Sequence, residues 1–175
     1  MNIQSYLTRI EYQGSLEPNL QNLSALQKAH MQAVPFENLS IHYKQPILLN
    51  EEALYKKIVE QNRGGFCYEL NGLFAWLLRS LGYKVEMLSA GVITDSGGFG
   101  PEFDHMTLLV HLEEDYLVDV GSEILSKSRC VSTFGVSNGR TVCRINCRRR
   151  EKRWFYPSRI LWMKIRICSR SIASC

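Results

Sequence analysis

The sequence predicts an α+β fold, with a helical bundle over the first 82 residues and an antiparallel sheet or barrel begun after them. Three observations carry this prediction. Apolar residues recur at three- and four-residue spacing in two stretches before Gly82. From Tyr83 the pattern changes to alternation, in "YKVEMLSAGVI", "HMTLLVHL" and "YLVDV". A glycine-rich loop, "TDSGGFGPEFD", separates the first of these from the second. Helices first and strands second describe segregated layers, not alternating βα units.

The first helical stretch is "NLQNLSALQKAHMQAVPF", where Leu20, Leu23, Leu26 and Met31 mark one face and Pro35 stops the run. Asn50 is the expected N-cap of "EEALYKKIVEQN", whose inner face is Leu54, Ile58 and Val59. Its acidic residues lead and its lysines follow, the order that the helix dipole favours. Gly64 and Gly65 are expected to end it. A further helix starts near Phe66, with Leu70, Leu73, Phe74, Leu77, Leu78 and Leu81 as its stripe and Gly82 as its stop. Strands are then expected over about 83–92, 105–112 and 116–120, the last two joined by the acidic turn Glu113-Glu114-Asp115.

After Gly121 the composition inverts. Residues 1–121 hold 8 Lys+Arg against 15 Asp+Glu, whereas residues 122–175 hold 13 against 2. Five of the six cysteines, Cys130, Cys143, Cys147, Cys168 and Cys175, also lie in that basic segment. Three parts follow: 1–82, a helical domain; 83–121, the start of a barrel domain; 122–175, a basic, cysteine-rich tail expected to be disordered. No apolar run approaches the ~18 residues of a membrane span, and the N-terminus lacks a signal-peptide pattern. A soluble, cytoplasmic protein without a membrane partner is the expectation.

Cys67 is the single thiol of the first 121 residues, and "RGGFCYELNGLFAWLL" places it where an apolar helix begins. A helix start presents partial positive charge and unpaired N–H groups, which favour a thiolate and could donate to a developing oxyanion. Gly64 and Gly65 would let a substrate approach the sulfur. The competing reading is a buried cysteine packed at a helix start behind an ordinary glycine cap. A nucleophilic thiol needs a base and a group that orients it. His30 reads as a surface residue, His42 is undetermined, and His105 and His111 share one strand. Asp119 stands out as a carboxylate between Val118 and Val120, costly to bury unless paired, although alternation also allows it to face solvent. A tight turn at Glu114-Asp115 would set Asp119 opposite Val110 and His111 opposite Val118. The residues alone therefore leave His105 and His111 as rivals.

Four blocks in order, "VPFENLSIHYKQPILL", "NRGGFCYELNGLFAWLLRSLGYKVEML", "DHMTLLV" and "YLVDVG", resemble the arylamine N-acetyltransferases, and bacterial members more than animal ones. The resemblance implies a cysteine-protease-like core with the triad Cys67, His105 and Asp119. It implies acetyl-CoA as acetyl donor, an aromatic amine or hydrazine as acceptor, release of CoA, ping-pong kinetics and no metal. It also implies a Glu37–Arg63 pair bracing the turn before Cys67, and Phe36, Phe66 and Val92 lining an aromatic pocket. Two surface charges and ordinary core side chains are the plain alternatives for those last five residues.

The family continues Asp-x-Gly with Phe-Gly, whereas this chain has Ser122-Glu123. The rest of a barrel and a third, covering (lid) domain are therefore expected to be absent, leaving the barrel incomplete and activity impaired. Placing one T before codons TCG GAG ATT CTN, which encode Ser122-Glu123-Ile124-Leu125, gives TTC GGA GAT TCT, or Phe-Gly-Asp-Ser. A reading-frame slip would account together for the tail's arginines, cysteines and lost periodicity. Against it stand a basic nucleic-acid-binding tail on a dead enzyme, suggested by "CRINCRRREKRWFYPSR", and a weakly spaced metal pair at Cys143 and Cys147. Nucleic acid is not the expected partner. Another cysteine acyltransferase or a hydrolase is the remaining alternative.

Overall fold

The computed structural model describes residues 1–91, 101 and 103–121, together with the backbone of 131–137, 140–146 and 164–166. The helices are α1 (Ile3–Arg9), α2 (Leu20–Ala33), α3 (Leu39–His42), α4 (Glu51–Tyr55) and α5 (Cys67–Ser80). A π-helical turn, Lys56–Glu60, continues α4. The strands are β1 (Lys84–Gly91), β2 (His105–His111), β3 (Asp115–Val118), β4 (Val131–Ser137), β5 (Arg140–Asn146) and β6 (Lys164–Arg166). Among the described residues no helix is long and apolar enough to cross a membrane.

Asparagine begins three of the helices. Asn2, Asn19 and Asn50 each accept a bond from the backbone N–H three residues on, Ser5 at 3.2 Å, Asn22 at 2.8 Å and Ala53 at 2.9 Å. Gly82, at φ +91°, takes the left-handed position after α5. The glycine pair does not end the preceding helix as expected. The π turn stops at Glu60 and Asn62, at φ 54°, makes the left-handed bend. Gly64 and Gly65 are needed for close approach instead. A Cβ on Gly64 would lie 1.9 Å from the Pro35 carbonyl oxygen, and one on Gly65 would lie 2.8 Å from Glu69 Cβ.

The strands pair antiparallel in sequence order, and β6 returns to β1, closing a barrel. The expectation of an incomplete barrel, without strands after residue 121, is corrected here. Segments 131–137, 140–146 and 164–166 carry backbone pairing, from Val131↔Asn146 to Cys143↔Ile165. The rest of the predicted tail, including Ser122, Glu123 and the remaining cysteines, lies outside the described residues.

The β2–β3 register also differs from expectation. Leu108 faces Val118, Leu109 faces Leu117, Val110 faces Tyr116 and His111 faces Asp115. The expected register would have set the Asp119 carboxylate against Val110. The observed one matches apolar with apolar over three successive pairs, which is what selects a register when a face is buried. Residues 112–114 then form the turn, and Leu112 N–H donates to the Glu114 carbonyl at 3.1 Å.

Helix α5 is buried around most of its circumference. Leu70, Leu73, Phe74, Leu77 and Leu78 pack between helical side chains such as Tyr6, Leu26 and Ile58 and the strand residues Leu108, Val110 and Val118. His30 belongs to this core and not to the surface. It falls four residues after Leu26 and seven after Leu23, so it takes the next place in the stripe of α2. Its Nδ1 is 2.8 Å from the Tyr6 hydroxyl and its ring lies 5.3 Å from that of Phe74. Burial, aided by the charge of Arg9, lowers its pKa to about 3.

His30 thus folds neutral, while the unfolded chain protonates it below its ordinary value of 6.5. Its contribution to stability is complete above 6.5 and is lost as pH falls from there toward about 3. Urea unfolding at pH 7 and pH 4.5 should show a larger acid loss for the wild-type chain than for His30→Phe. Equal losses would contradict the buried, neutral state.

Candidate active site

Cys67 is the first residue of α5 and is buried. The turn before it is held by charge and by the close glycine packing described above. Glu69 accepts the Phe66 N–H at 3.1 Å and receives Lys57 Nζ at 2.7 and 2.8 Å. Lys57 also reaches Glu37 at 3.3 Å, and Glu37 binds Arg63 at 2.8 Å. Burial works to raise the Glu37 carboxyl, but the Leu39 N–H, Lys57 and Arg63 outweigh it and hold the carboxyl below its ordinary range. The network ties the chain on both sides of the glycine pair to the first turn of α5. Arg9 secures the same region from α1, donating to the carbonyls of Ala33 at 2.8 Å and Ile58 at 3.0 Å.

Strand β2 begins at His105, and its pairing with β1 places His105 opposite Ala90. Tyr68, the residue after Cys67, donates its hydroxyl to the Phe103 carbonyl at 2.7 Å and so latches the segment leading into β2. His105 Nε2 lies 2.5 Å from Asp119 Oδ2. Continued by one step, the β2–β3 register sets Asp119 against Thr107, two residues from His105 on the same face. Cys67 lies near enough to the His105 ring to act on its charge. With Nε2 committed to Asp119, Nδ1 is the ring nitrogen left for the sulfur.

Burial acts to lower the pKa of His105, but its hydrogen bond to Asp119, the neighbouring Cys67 and the charges of both raise it from 6.5 to about 10. At neutral pH the ring is therefore an imidazolium, held by Asp119 beside Cys67. The stability that this pairing adds is complete below 6.5 and lost as pH rises through about 10.

Asp119 is held from three sides. Gln27 of α2 donates to its carbonyl at 3.0 Å. Asn71 of α5 and the Gly121 N–H donate to its Oδ1 at 2.9 and 2.8 Å. The alternative of a solvent-facing Asp119 does not hold, since its carboxylate is largely buried and fully engaged. Gly121 also lies directly over Cys67, where a Cβ would meet Cys67 Cα at 2.5 Å.

Of the rival bases, His111 is bound elsewhere, to Asp115 at 2.6 Å and Glu86 at 3.1 Å. His42 is exposed. Phe36 is exposed and forms an isolated bridge with Gly65, and Phe66 is half-buried with its ring 6.0 Å from that of Tyr68. Val92 lies outside the described residues. A cleft bounded by Gln4, Thr8, Tyr55 and Glu60 contains none of these groups. Among the described residues no His, Cys, Asp and Glu cluster could hold a metal ion.

Asn71, Gln27, Tyr68 and Gly121 were not singled out by the sequence reading. For Asn71 a signal existed. It follows Cys67 by four residues, and an amide inside the apolar stripe of a buried helix requires partners.

The N-acetyltransferase family profile matches residues 19–141. Over 124 residues the chain is 46% identical to arylamine N-acetyltransferase, pineal gland isozyme NAT-3, of Gallus gallus, covering 69% of this chain and 43% of that protein. It is 41% identical over 128 residues to the arylamine N-acetyltransferase of Mycolicibacterium smegmatis, covering 69% of this chain and 46% of the other. The expected bias toward bacterial members is therefore not observed. In three dimensions the chain is similar to the arylamine N-acetyltransferase of Mycobacterium marinum in complex with CoA. That TM-score is 0.71 at 27% identity, with 97% of this chain and 66% of the other covered. The chain spans less than half the length of these curated relatives.

Replacing Gly121 by alanine must displace Cys67 or the 119–121 segment. Iodoacetamide labelling of Cys67 at pH 7, read by peptide mapping, should fall by about tenfold in Gly121→Ala, a change of roughly 1.4 kcal/mol in the barrier. An unchanged rate would mean that the contact is not maintained in solution.

Proposed function

Because the chain belongs to the arylamine N-acetyltransferase family, we propose that it moves an acetyl group from acetyl-CoA to an aromatic amine or hydrazine through an acetyl-cysteine at Cys67. The observation that carries this reading is a helix-start cysteine beside a histidine whose Nε2 is engaged by a largely buried carboxylate.

In the first half-reaction the Cys67 sulfur attacks the thioester carbonyl carbon. The carbonyl–sulfur bond to CoA breaks, and CoA leaves with the proton held by His105. In the second, the amine nitrogen attacks the acetyl-cysteine and gives up a proton to His105. The carbon–sulfur bond to Cys67 then breaks, releasing the amide and leaving the sulfur beside the re-formed imidazolium. Asp119 fixes the imidazole with Nε2 toward itself and favours the imidazolium in both halves. N–H groups of the first turn of α5 receive the developing oxyanion.

Glu37 and Arg63, joined by Lys57, brace the turn that presents Cys67. Phe36 and Phe66 flank the glycine pair and are the described candidates for contact with the acceptor ring. Ser122 and Glu123 stand where the family resemblance leads one to expect Phe-Gly, so one aromatic wall of the acceptor pocket is missing. A poorly enclosed thioester is exposed to water, and hydrolysis then competes with transfer.

Incubation with acetyl-CoA should add the mass of one acetyl group to the peptide containing Cys67, and Cys67→Ala should abolish it. Hydrolysis should exceed transfer to an arylamine, and the double change Ser122→Phe with Glu123→Gly should shift the ratio toward transfer. Absence of the acetylated peptide would refute the acyl-enzyme. Efficient transfer by the unaltered chain would refute the account of the missing wall.

A further inference from the structure

We propose that Asn71 is a positioning residue of this site, presenting the Asp119 carboxylate to His105 in one fixed orientation. The proposal rests on the triad reading above and adds a residue to it. Asn71 is completely buried and lies one turn after Cys67 on α5. Its Nδ2 donates to the Met106 carbonyl at 2.7 Å and to Asp119 Oδ1 at 2.9 Å. Its Oδ1 accepts the Val120 N–H at 2.9 Å. One amide therefore joins the nucleophile's helix to the residue after His105 and to the residue after Asp119.

The two backbone bonds would suffice to dock α5 against the strands. The third goes to the carboxylate itself. Together with the Gly121 N–H it gives Asp119 Oδ1 two donors, so Oδ2 is the oxygen turned to His105. A neutral donor suits this position. It holds the anion without competing for it, whereas a cation would draw the carboxylate away from the imidazole. Orientation of a catalytic group through such a bond is the usual way a site keeps its geometry within a fraction of an ångström. Without Asn71, Oδ1 keeps only the Gly121 N–H, the carboxylate turns more readily about its Cβ–Cγ axis, and His105 is held less firmly as an imidazolium.

The test is the pH profile of Cys67 alkylation by iodoacetamide in the full chain, with peptide mapping to separate Cys67 from the tail cysteines. Wild type, Asn71→Ala, Asn71→Leu, Asp119→Asn and the double variant Asn71→Ala with Asp119→Asn are compared. Each is first checked for folding by circular dichroism. Asn71→Ala should move the profile up by about one pH unit, slowing alkylation about tenfold at a fixed acid pH. The shift in the double variant should equal that of Asp119→Asn alone, because Asn71 acts through that carboxylate. Asn71→Leu serves if the alanine variant does not fold. Failure of both to fold, a folded variant with the wild-type profile, or additive shifts would make Asn71 a structural residue and overturn the proposal. A wild-type profile matching that of an unfolded control peptide would instead remove the triad reading beneath it.

Discussion

A carboxylate that leaves water must be paired, and the arrangement around Asp119 follows from that constraint. Burying an ionised group without partners costs many kcal/mol, so Asp119 can sit at the end of an apolar strand only if several elements converge on it. Helix α2 contributes Gln27, α5 contributes Asn71, β2 contributes His105, and the backbone contributes the Gly121 N–H. Satisfying one anion thereby fixes the distance between the helical layer and the sheet. The nucleophile, placed on α5 one turn from Asn71, is brought to the histidine by the same convergence.

The opposite wall of the site depends on close backbone approach. Gly64 and Gly65 let the chain pass within contact of Pro35 and Glu69, where a side chain on either would collide. The ion pairs of Lys57, Glu37, Glu69 and Arg63 then hold that approach from the side of the π turn, a widened geometry that is frequent near functional sites. Charge complementarity on one wall and a paired carboxylate on the other leave Cys67 little freedom to move.

Local pattern made much of this legible. Stripes of leucine marked α2 and α5, and Asn50 and Gly82 marked helix ends. The Glu37–Arg63 pair and the choice of His105 came from resemblance, and the structure brings those residues together. His30 was misread because its polarity outweighed its place in the stripe of α2, where it takes the position of a core residue. The β2–β3 register was missed because it turns on whether two or three residues make the turn, and apolar pairing decided for three. Asn71 signals only that it needs partners, and which ones is hidden because they lie 35 to 49 residues away in the chain. Strands β4 and β5 could not be read because arginines and cysteines obscure their alternation, whereas β6 lies within "RILWMKIRIC", the one tail segment that reads as a short strand or helix. Strand pairing is non-local, and sequence pattern reports it weakly.

The account rests on His105 being charged between Asp119 and Cys67 at neutral pH, and nitrogen NMR of the histidine-labelled chain reads that directly. With His105 assigned by its loss in His105→Gln, both ring nitrogens should carry protons at pH 8, with titration only near the pKa of about 10. Asp119→Asn should bring the transition down. A ring that is neutral at pH 8 and titrates near 6.5 would contradict the account.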